Sequence, residues 1–143
     1  MASNSKQDEY NKALQNLLAM SGKKVEIKKV WENANPTSNF SEQDISVDLS
    51  DADFVLVETF YATDTLTYVQ THIAALDLTY ISYLLAQAAY SSIGYHTRPF
   101  KASVSGVHFH NNYMKGSITS TSAGTVNNKY QIPAAIYTVR GVI

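Results

Sequence analysis

The residues best placed for metal chemistry are His108 and His110, which flank Phe109. Side chains alternate between the two faces of a β-strand, so imidazoles at this spacing project from the same face. Imidazole nitrogen is a common zinc ligand, but a zinc site takes three or four ligands, and the sequence nominates no third one. We therefore treat both residues as metal candidates only. Surface or interface histidines are the simpler interpretation, and we expect no cofactor.

Four aspartates, Asp44, Asp48, Asp51 and Asp53, could suggest a calcium loop. Such a loop requires glycine at its sixth position and glutamate at its twelfth. Counted from Asp48, these positions hold Asp53 and Thr59. The pattern is therefore not that of a calcium loop, and these carboxylates are better explained as solvated groups at turns and strand edges.

Catalytic motifs are missing from the sequence. It contains no nucleophile elbow and no dinucleotide fingerprint, and Ser21-Gly22-Lys23 lacks the upstream glycine of a phosphate loop. It has no cysteine, which removes disulfides and thiolate chemistry. A pair of carboxylates for glycoside hydrolysis is assembled in space, so the sequence selects none. We expect a protein that is not an enzyme.

Tyrosine is abundant, with ten residues in 143, and six lie between positions 61 and 95. A tyrosine ring with its polar tip suits subunit interfaces and sugar-stacking surfaces, and it is also a good strand residue. All three interpretations remain open. The candidate surface contacts are Tyr80, Tyr83, Tyr90 and Tyr95.

Charge and composition limit the partners. Every acidic residue lies at or before Asp77, and five cations follow it without an acid. Interleaving of the two halves in one fold would pair these charges. Five cations are too dispersed for a nucleic-acid surface, so we expect no nucleic acid. We find no N-terminal signal and no run of eighteen apolar residues, which predicts synthesis in a cytoplasm and no membrane insertion.

The elements that must position these residues begin with a helix in segment 1–22. Ser5 and Asp8 resemble a capping box, and Gly22 is a suitable C-terminal stop. About fifteen residues are marginal for an isolated helix in water, so its apolar stripe must pack on its own domain or on copies of itself. The candidate oligomerisation residues are Tyr10, Leu14, Leu17 and Leu18.

Residues 23–143 read as a series of short strands separated by turn residues. This pattern predicts a mostly β fold, an antiparallel β-sandwich or jelly-roll-like domain with a short N-terminal α-helix. Asp53–Tyr61 is apolar on both faces, which predicts a central strand buried on each side. Residues 73–90 fit either a helix or strands, and their β neighbours favour strands. Pro133 predicts an edge position or a bulge in the last strand.

Two stretches are typical of framework and of exposed loop, respectively. Trp31 and Phe40 flank a loop rich in Asn, Pro and Ser, and we expect them to anchor the core on either side of it. The tract 117–128 is rich in Ser, Thr, Gly and Asn, which predicts an exposed hairpin loop. This loop and the exposed tyrosines are the expected contact surfaces.

The framework stretch also resembles a known family. It reads Trp31-Glu32-Asn33-x-x-Pro36-Thr37-Ser38-x-Phe40, then Ile45-x-Val47-Asp48-Leu49-Ser50 and Asp53-Phe54-Val55, and the chain closes on Asn128 and Ile132-Pro133-x-x-Ile136-Tyr137. These motifs resemble those of small bacteriophage virion proteins, which often carry an arginine where Arg98 stands. The likeness spans roughly residues 25–140. Residues 66–97 match only in their strand-like texture, and Tyr-Thr-Val replaces the more usual Tyr-Gly at the end.

The resemblance implies a structural or accessory protein of a phage particle, made in the bacterial host cytoplasm and located in the virion. It implies a fibre, tail-tip or head-decoration component, most often a β-rich homotrimer, in contact with other virion proteins and with a host-surface glycan as a further partner. No catalytic residue comes with it. The alternative from a different class is a carbohydrate-binding module that uses the surface tyrosines.

Overall fold

A computed structural model of the chain describes residues 5–20, 24–62, 67–89, 92–115 and 124–142. One helix precedes ten strands in chain order. They are α1 (Ser5–Met20), β1 (Lys24–Glu32), β2 (Gln43–Ser46), β3 (Phe54–Ala62), β4 (Thr67–Ala75), β5 (Thr79–Ala89), β6 (Ser92–Ser103), β7 (Gly106–Phe109), β8 (Tyr113–Lys115), β9 (Thr125–Val126) and β10 (Ile132–Val142).

The strands form two antiparallel sheets. The first has the order β1-β10-β3-β4, and the second has the order β2-β7-β6-β8-β9, with β5 on the other side of β6. Strand β6 is long enough to pair with β8 through Tyr95–Thr97 and with β7 through Phe100–Ser103. The β-sandwich with a short N-terminal helix is thereby confirmed, and strands rather than a helix occupy most of 73–90.

The apolar part of the core lies between the sheets and is built around three aromatic rings. Phe109 contacts Phe40 and Phe100, each at a centroid distance of 5.6 Å. Alternation in β3 and β10 adds Val55 and Ile136, which are fully buried. Burying such side chains stabilises the fold by roughly 1.5–3 kcal/mol each, so this cluster supplies much of the driving force.

Trp31 packs edge-on against Phe40 at 6.4 Å, which confirms the pair as core anchors on either side of the intervening loop. Two backbone contacts tie that loop to the final strand: Asn33 donates from its backbone N–H to Ala134 and from its side chain to the carbonyl of Pro133. The loop is therefore part of the framework, as the sequence indicated.

One strand prediction needs correction, and another holds in one of its two alternatives. Strand β3 is central, between β10 and β4, but it is not buried on both sides: Phe54 is 46% exposed, while Val55 and Val57 are fully buried. Strand β10 is likewise central and not an edge strand. The bulge expected at Pro133 is present, because the register with β3 shifts between Pro133 and Ala135 and the missing donor is accommodated there.

One region of the interior is polar. Gln131 donates to Ser82 at 2.9 Å and accepts from Asn112 at 2.7 Å, and Asn112 in turn contacts His96 at 3.2 Å. Arg98, also fully buried, lies on β6 between these groups and the aromatic cluster. Buried polar groups are tolerated when they are hydrogen-bonded to one another, so this network specifies a unique packing of the two sheets.

Among the residues that the structure describes, no helix is long and apolar enough to span a membrane.

Candidate metal centre

The pairing of β2 with β7 brings two acids opposite two histidines. Asp44 lies opposite His108 in the antiparallel register. Two residues away, just beyond the ends of both strands, Glu42 contacts His110, with Oε1 3.3 Å from Nδ1. Because positions two apart share a face, all four side chains project from the outer surface of the second sheet. The histidines predicted to share a face do so, and Glu42 supplies the third ligand that the sequence did not nominate.

The distances are close to those of a ligand set. Glu42 Oε1 lies 3.3 Å from His110 Nδ1, and Glu42 Oε2 lies 3.9 Å from His108 Nε2. One donor atom from each of the three residues lies within 4.8 Å of the others. Ligand atoms around a tetrahedral zinc ion are about 3.4 Å apart, given zinc–nitrogen and zinc–oxygen bonds near 2.1 Å. Donor atoms up to 4.8 Å apart must therefore approach each other by up to about 1.4 Å, through side-chain rotation, to close the set around one ion.

Asp44 acts on His108 from outside the cluster. Its Oδ1 lies 2.7 Å from Nδ1 of His108, the shortest ring contact in the site. A carboxylate there accepts the Nδ1 proton, which leaves the lone pair on Nε2, the nitrogen nearest Glu42. Metal-binding histidines commonly show this arrangement, in which an outer carboxylate fixes the tautomer and the ring orientation.

The backbone under the cluster is held from the interior. The guanidinium of Arg98 donates to the carbonyl of His110 at 2.8 Å and to that of Phe40 at 3.1 Å. On the surface side, the backbone N–H of Glu42 donates to Asn111 Oδ1 at 3.0 Å. These contacts connect the backbone segment next to Glu42 with the segment that carries His110, so the fold defines the distance between the two residues.

The cluster is open to solvent on one side. The side chains of Glu42, His108 and His110 are 44%, 37% and 39% exposed. Lys101 on β6 lies opposite His108 in the register, so one cation borders the site. Two acids and one neighbouring cation leave the site net negative when both imidazoles are neutral. A divalent cation bound here would have two negatively charged carboxylates in its surroundings, and one coordination position would be open to water.

The four predicted surface tyrosines do not share one surface. Tyr83 is 59% exposed, and Tyr95 lies diagonally from it on the same outer face, within 5.8 Å of the Lys115 ammonium. Tyr80 lies on the opposite face of β5 and packs against Phe100 at 5.1 Å, so it belongs to the core side. Tyr90 is outside the described residues, and so are residues 117–123 of the predicted contact loop 117–128.

The helix and the first sheet expose more apolar surface than the tyrosines do. Tyr10, Leu14 and Leu17 of α1 are 70%, 54% and 64% exposed, and the side chain of Leu18 lies outside the description. On the outer side of the first sheet, here called the open face, five large apolar side chains are 46–64% exposed: Val25, Ile27, Phe54, Val69 and Ile73. Ile27, Val139 and Phe54 lie side by side across three strands, so the surface is continuous.

Sequence reasoning missed Glu42 and assigned Asp44 only to a rejected calcium pattern. The signal was present as Glu42-x-Asp44, an acid pair with the same spacing as the histidine pair. It becomes informative only once β2 is known to pair with β7, and Asp44 and His108 are 64 positions apart. Arg98 was noted only through the family resemblance.

Comparison of the chain with models of protein families, with curated proteins and with solved structures finds no match.

Proposed function

We propose that the protein is a non-enzymatic structural subunit that assembles with copies of itself, through α1 and the open face, as a component of a bacteriophage virion. The observation that carries the proposal is the continuous apolar surface on the outer side of the first sheet. Large exposed apolar patches on soluble domains mark contact surfaces.

The pattern of β3 supports a partner on the open face. Phe54, Leu56 and Phe60 alternate with Val55, Val57 and Thr59, so one set fills the core and the other faces outward. A strand that is apolar on both sides is typical of burial on both sides. Assembly would complete the burial of the outward set, of which the single chain leaves Phe54 exposed and Leu56 and Phe60 half-buried.

The helix supports copies of the same chain as that partner. Every described side chain from Lys6 to Leu17 is exposed, so these side chains are not buried against the sandwich. Sixteen residues are marginal for an isolated helix in water. Tyr10, Leu14 and Leu17 follow one another at spacings of four and three, a narrow seam of the kind that packs against identical helices, and Asp8 and Lys12 lie on the other side.

Edge strand β1 argues against open-ended assembly. It carries Lys24, Lys28 and Lys29, and lysines along an edge oppose the addition of a further strand. Contacts through a helix seam and a sheet face can close around an axis, which gives an oligomer of defined size. The resemblance to phage virion proteins implies three copies, in contact with other virion proteins and at the particle surface.

Light scattering coupled to size exclusion tests the assembly. We expect a mass about three times the 15.8 kDa of the chain. Leu14→Ser with Leu17→Ser should dissociate the oligomer, and so should Ile27→Thr with Ile73→Thr. Each buried aliphatic side chain contributes roughly 1.5–3 kcal/mol, so two changes per chain should raise the dissociation constant at least 100-fold.

Matched controls are Lys12→Ser on the other side of the helix and Thr71→Ser on β4, between Val69 and Ile73. Both should leave the mass unchanged. A wild-type protein that stays monomeric at high concentration would refute self-assembly. An oligomer that survives both double changes would show that these surfaces are not the contact.

Carbohydrate binding is the second candidate, and Tyr83 with Tyr95 on the outer face of the second sheet favours it. Exposed rings stack on sugars. Since Tyr80 lies on the inner side of β5, the described part of the chain supplies a smaller stacking surface than the sequence suggested, and assembly has the stronger structural support.

A further inference from the structure

We propose that Glu42, His108 and His110 form a binding site for a divalent transition-metal ion of the zinc class, one ion per chain. The site lies within a single chain, on the second sheet. It does not depend on the assembly through α1 and the open face.

The ligand chemistry selects the class of ion. Two imidazoles and one carboxylate are borderline ligands that suit zinc and neighbouring transition metals. Calcium and magnesium prefer six or more oxygen donors, and Glu42 with the nearby Asp44 supplies too few, because Asp44 is engaged by His108. The proposal therefore commits to zinc as the probe and expects calcium and magnesium to bind much more weakly.

The second argument is the orientation of the lone pairs. With the Nδ1 proton of His108 directed to Asp44, Nε2 of the same ring presents its lone pair towards a Glu42 oxygen 3.9 Å away. Two acceptors facing each other repel unless a proton or a metal cation lies between them. A metal ion at that point would be bound by His108, by Glu42 and by His110, whose Nδ1 is 3.3 Å from the other Glu42 oxygen.

The third argument is preorganisation. If the side chains met only by chance, the backbone segments that carry them would be free to move apart. Here Arg98 binds the carbonyls of both Phe40 and His110, and Asn111 accepts from the backbone of Glu42. Asn111 is itself held by the side-chain amide of Asn128 at 2.9 Å. The cost of ordering the ligands is reduced because the fold has already ordered their backbone.

Three protein ligands leave at least one coordination position for another donor. The half-exposed ligands direct that position to solvent, where water or a donor atom from another molecule can occupy it. Three-ligand zinc sites are typically open in this way, whereas purely structural zinc sites are usually closed by four protein ligands.

Isothermal titration of untagged, chelator-treated protein with zinc chloride tests the proposal, with calcium chloride as the comparison. We expect one zinc per chain. Glu42→Gln, His108→Asn and His110→Asn should each weaken zinc binding at least tenfold, and Asp44→Asn should weaken it roughly tenfold through His108. Glu26→Gln, an exposed charge change on β1, should leave the affinity unchanged.

X-ray absorption of the zinc-loaded protein supplies a second readout, in which imidazole scattering from two histidines is expected. Three results would overturn the proposal. The first is no heat of zinc binding at protein concentrations of tens of micromolar. The second is an affinity that the ligand changes do not alter. The third is a stoichiometry of one ion per three chains, which would require a shared site on a symmetry axis. Circular dichroism of each variant confirms that loss of binding is not loss of fold.

Discussion

Replacing Arg98 with methionine should destabilise the protein by about 3 kcal/mol. Arg98 is fully buried, and it donates to three backbone carbonyls, those of Phe40, His110 and Tyr130, at 3.1, 2.8 and 3.1 Å. No acidic side chain among the described residues forms an ion pair with it. Its role is therefore to satisfy carbonyls at the ends of three segments, and methionine of similar length removes all three donors.

The magnitude follows from two opposing terms. Leaving a buried carbonyl without its partner costs about 1–3 kcal/mol, so three carbonyls cost roughly 6 kcal/mol together. Against this, burial lowers the pKa of Arg98 from its ordinary value to about 10, which corresponds to a penalty of about 3 kcal/mol for holding the charge there. At pH 7 the guanidinium remains protonated, so methionine relieves this penalty while stranding the carbonyls. The difference is a net loss of about 3 kcal/mol.

Urea unfolding at pH 7 followed by circular dichroism measures the free energy of unfolding. Lys101→Met, three positions along β6 and exposed, is the matched control, and it should change stability by no more than about 0.5 kcal/mol. Arg98→Lys should fall between the two, because one ammonium group reaches fewer of the carbonyls. If Arg98→Met were as stable as the wild type within 1 kcal/mol, the assignment of Arg98 as the joint between these segments would be refuted.

The remaining predictions concern acid sensitivity and a close backbone approach. Burial lowers the pKa of His72 and of His96 in the folded protein. Below pH 6.5 the unfolded chain therefore binds more protons than the folded chain. The free energy of unfolding should fall as the pH is lowered from this value, by up to about 1.4 kcal/mol per pH unit for each ring. In urea unfolding measured from pH 8 to pH 5, His96→Gln should reduce the change of the unfolding free energy with pH. An unchanged pH dependence would contradict this. Gly106 has φ 153°, and a Cβ there would meet the carbonyl oxygen of Ile45, so Gly106→Ala should lose about 3 kcal/mol in thermal unfolding. Gly141→Ala, whose Cβ would make only an ordinary 3.6 Å contact, should be neutral, and equal losses at both sites would show that the approach is not tight.

The elements that could be predicted from the sequence are those with a local signal. In the described part of the chain the helix starts at Ser5, one of the two residues that predicted its N-terminus, and Trp31 and Phe40 pack together on either side of the loop that they flank. The exposure of the outer side of β3 and the position of β10 within the sheet were harder to predict. A proline normally marks an edge, and only the register shift beside Pro133 allows it in a central strand.

Only the two histidines of the candidate metal site could be predicted from the sequence. His108 and His110 share a face because of the two-residue period of a strand, which is local information. Glu42 joins them because β2 lies at the edge of the second sheet beside β7, which is a matter of sheet order. Strand order depends on long-range pairing, and a single sequence taken alone carries little information about it.

The incorrect expectation for β3 has a physical meaning of its own. The apolar residues on its outer side were predicted to be buried, and the described residues of the single chain do not fully cover them: Phe54 and its cross-sheet neighbour Ile27 remain exposed. Exposing such side chains costs free energy in water, and threonine, a polar residue that also favours strands, would be less costly at the same positions. The helix shows the same excess, since Leu14 and Leu17 are exposed where glutamate or lysine, with a similar helix propensity, would be better solvated. The helix and β3 both carry apolar residues that the single chain does not bury, and a second copy that buries them is the simplest explanation. The double changes at the helix and at the open face measure the two contributions separately.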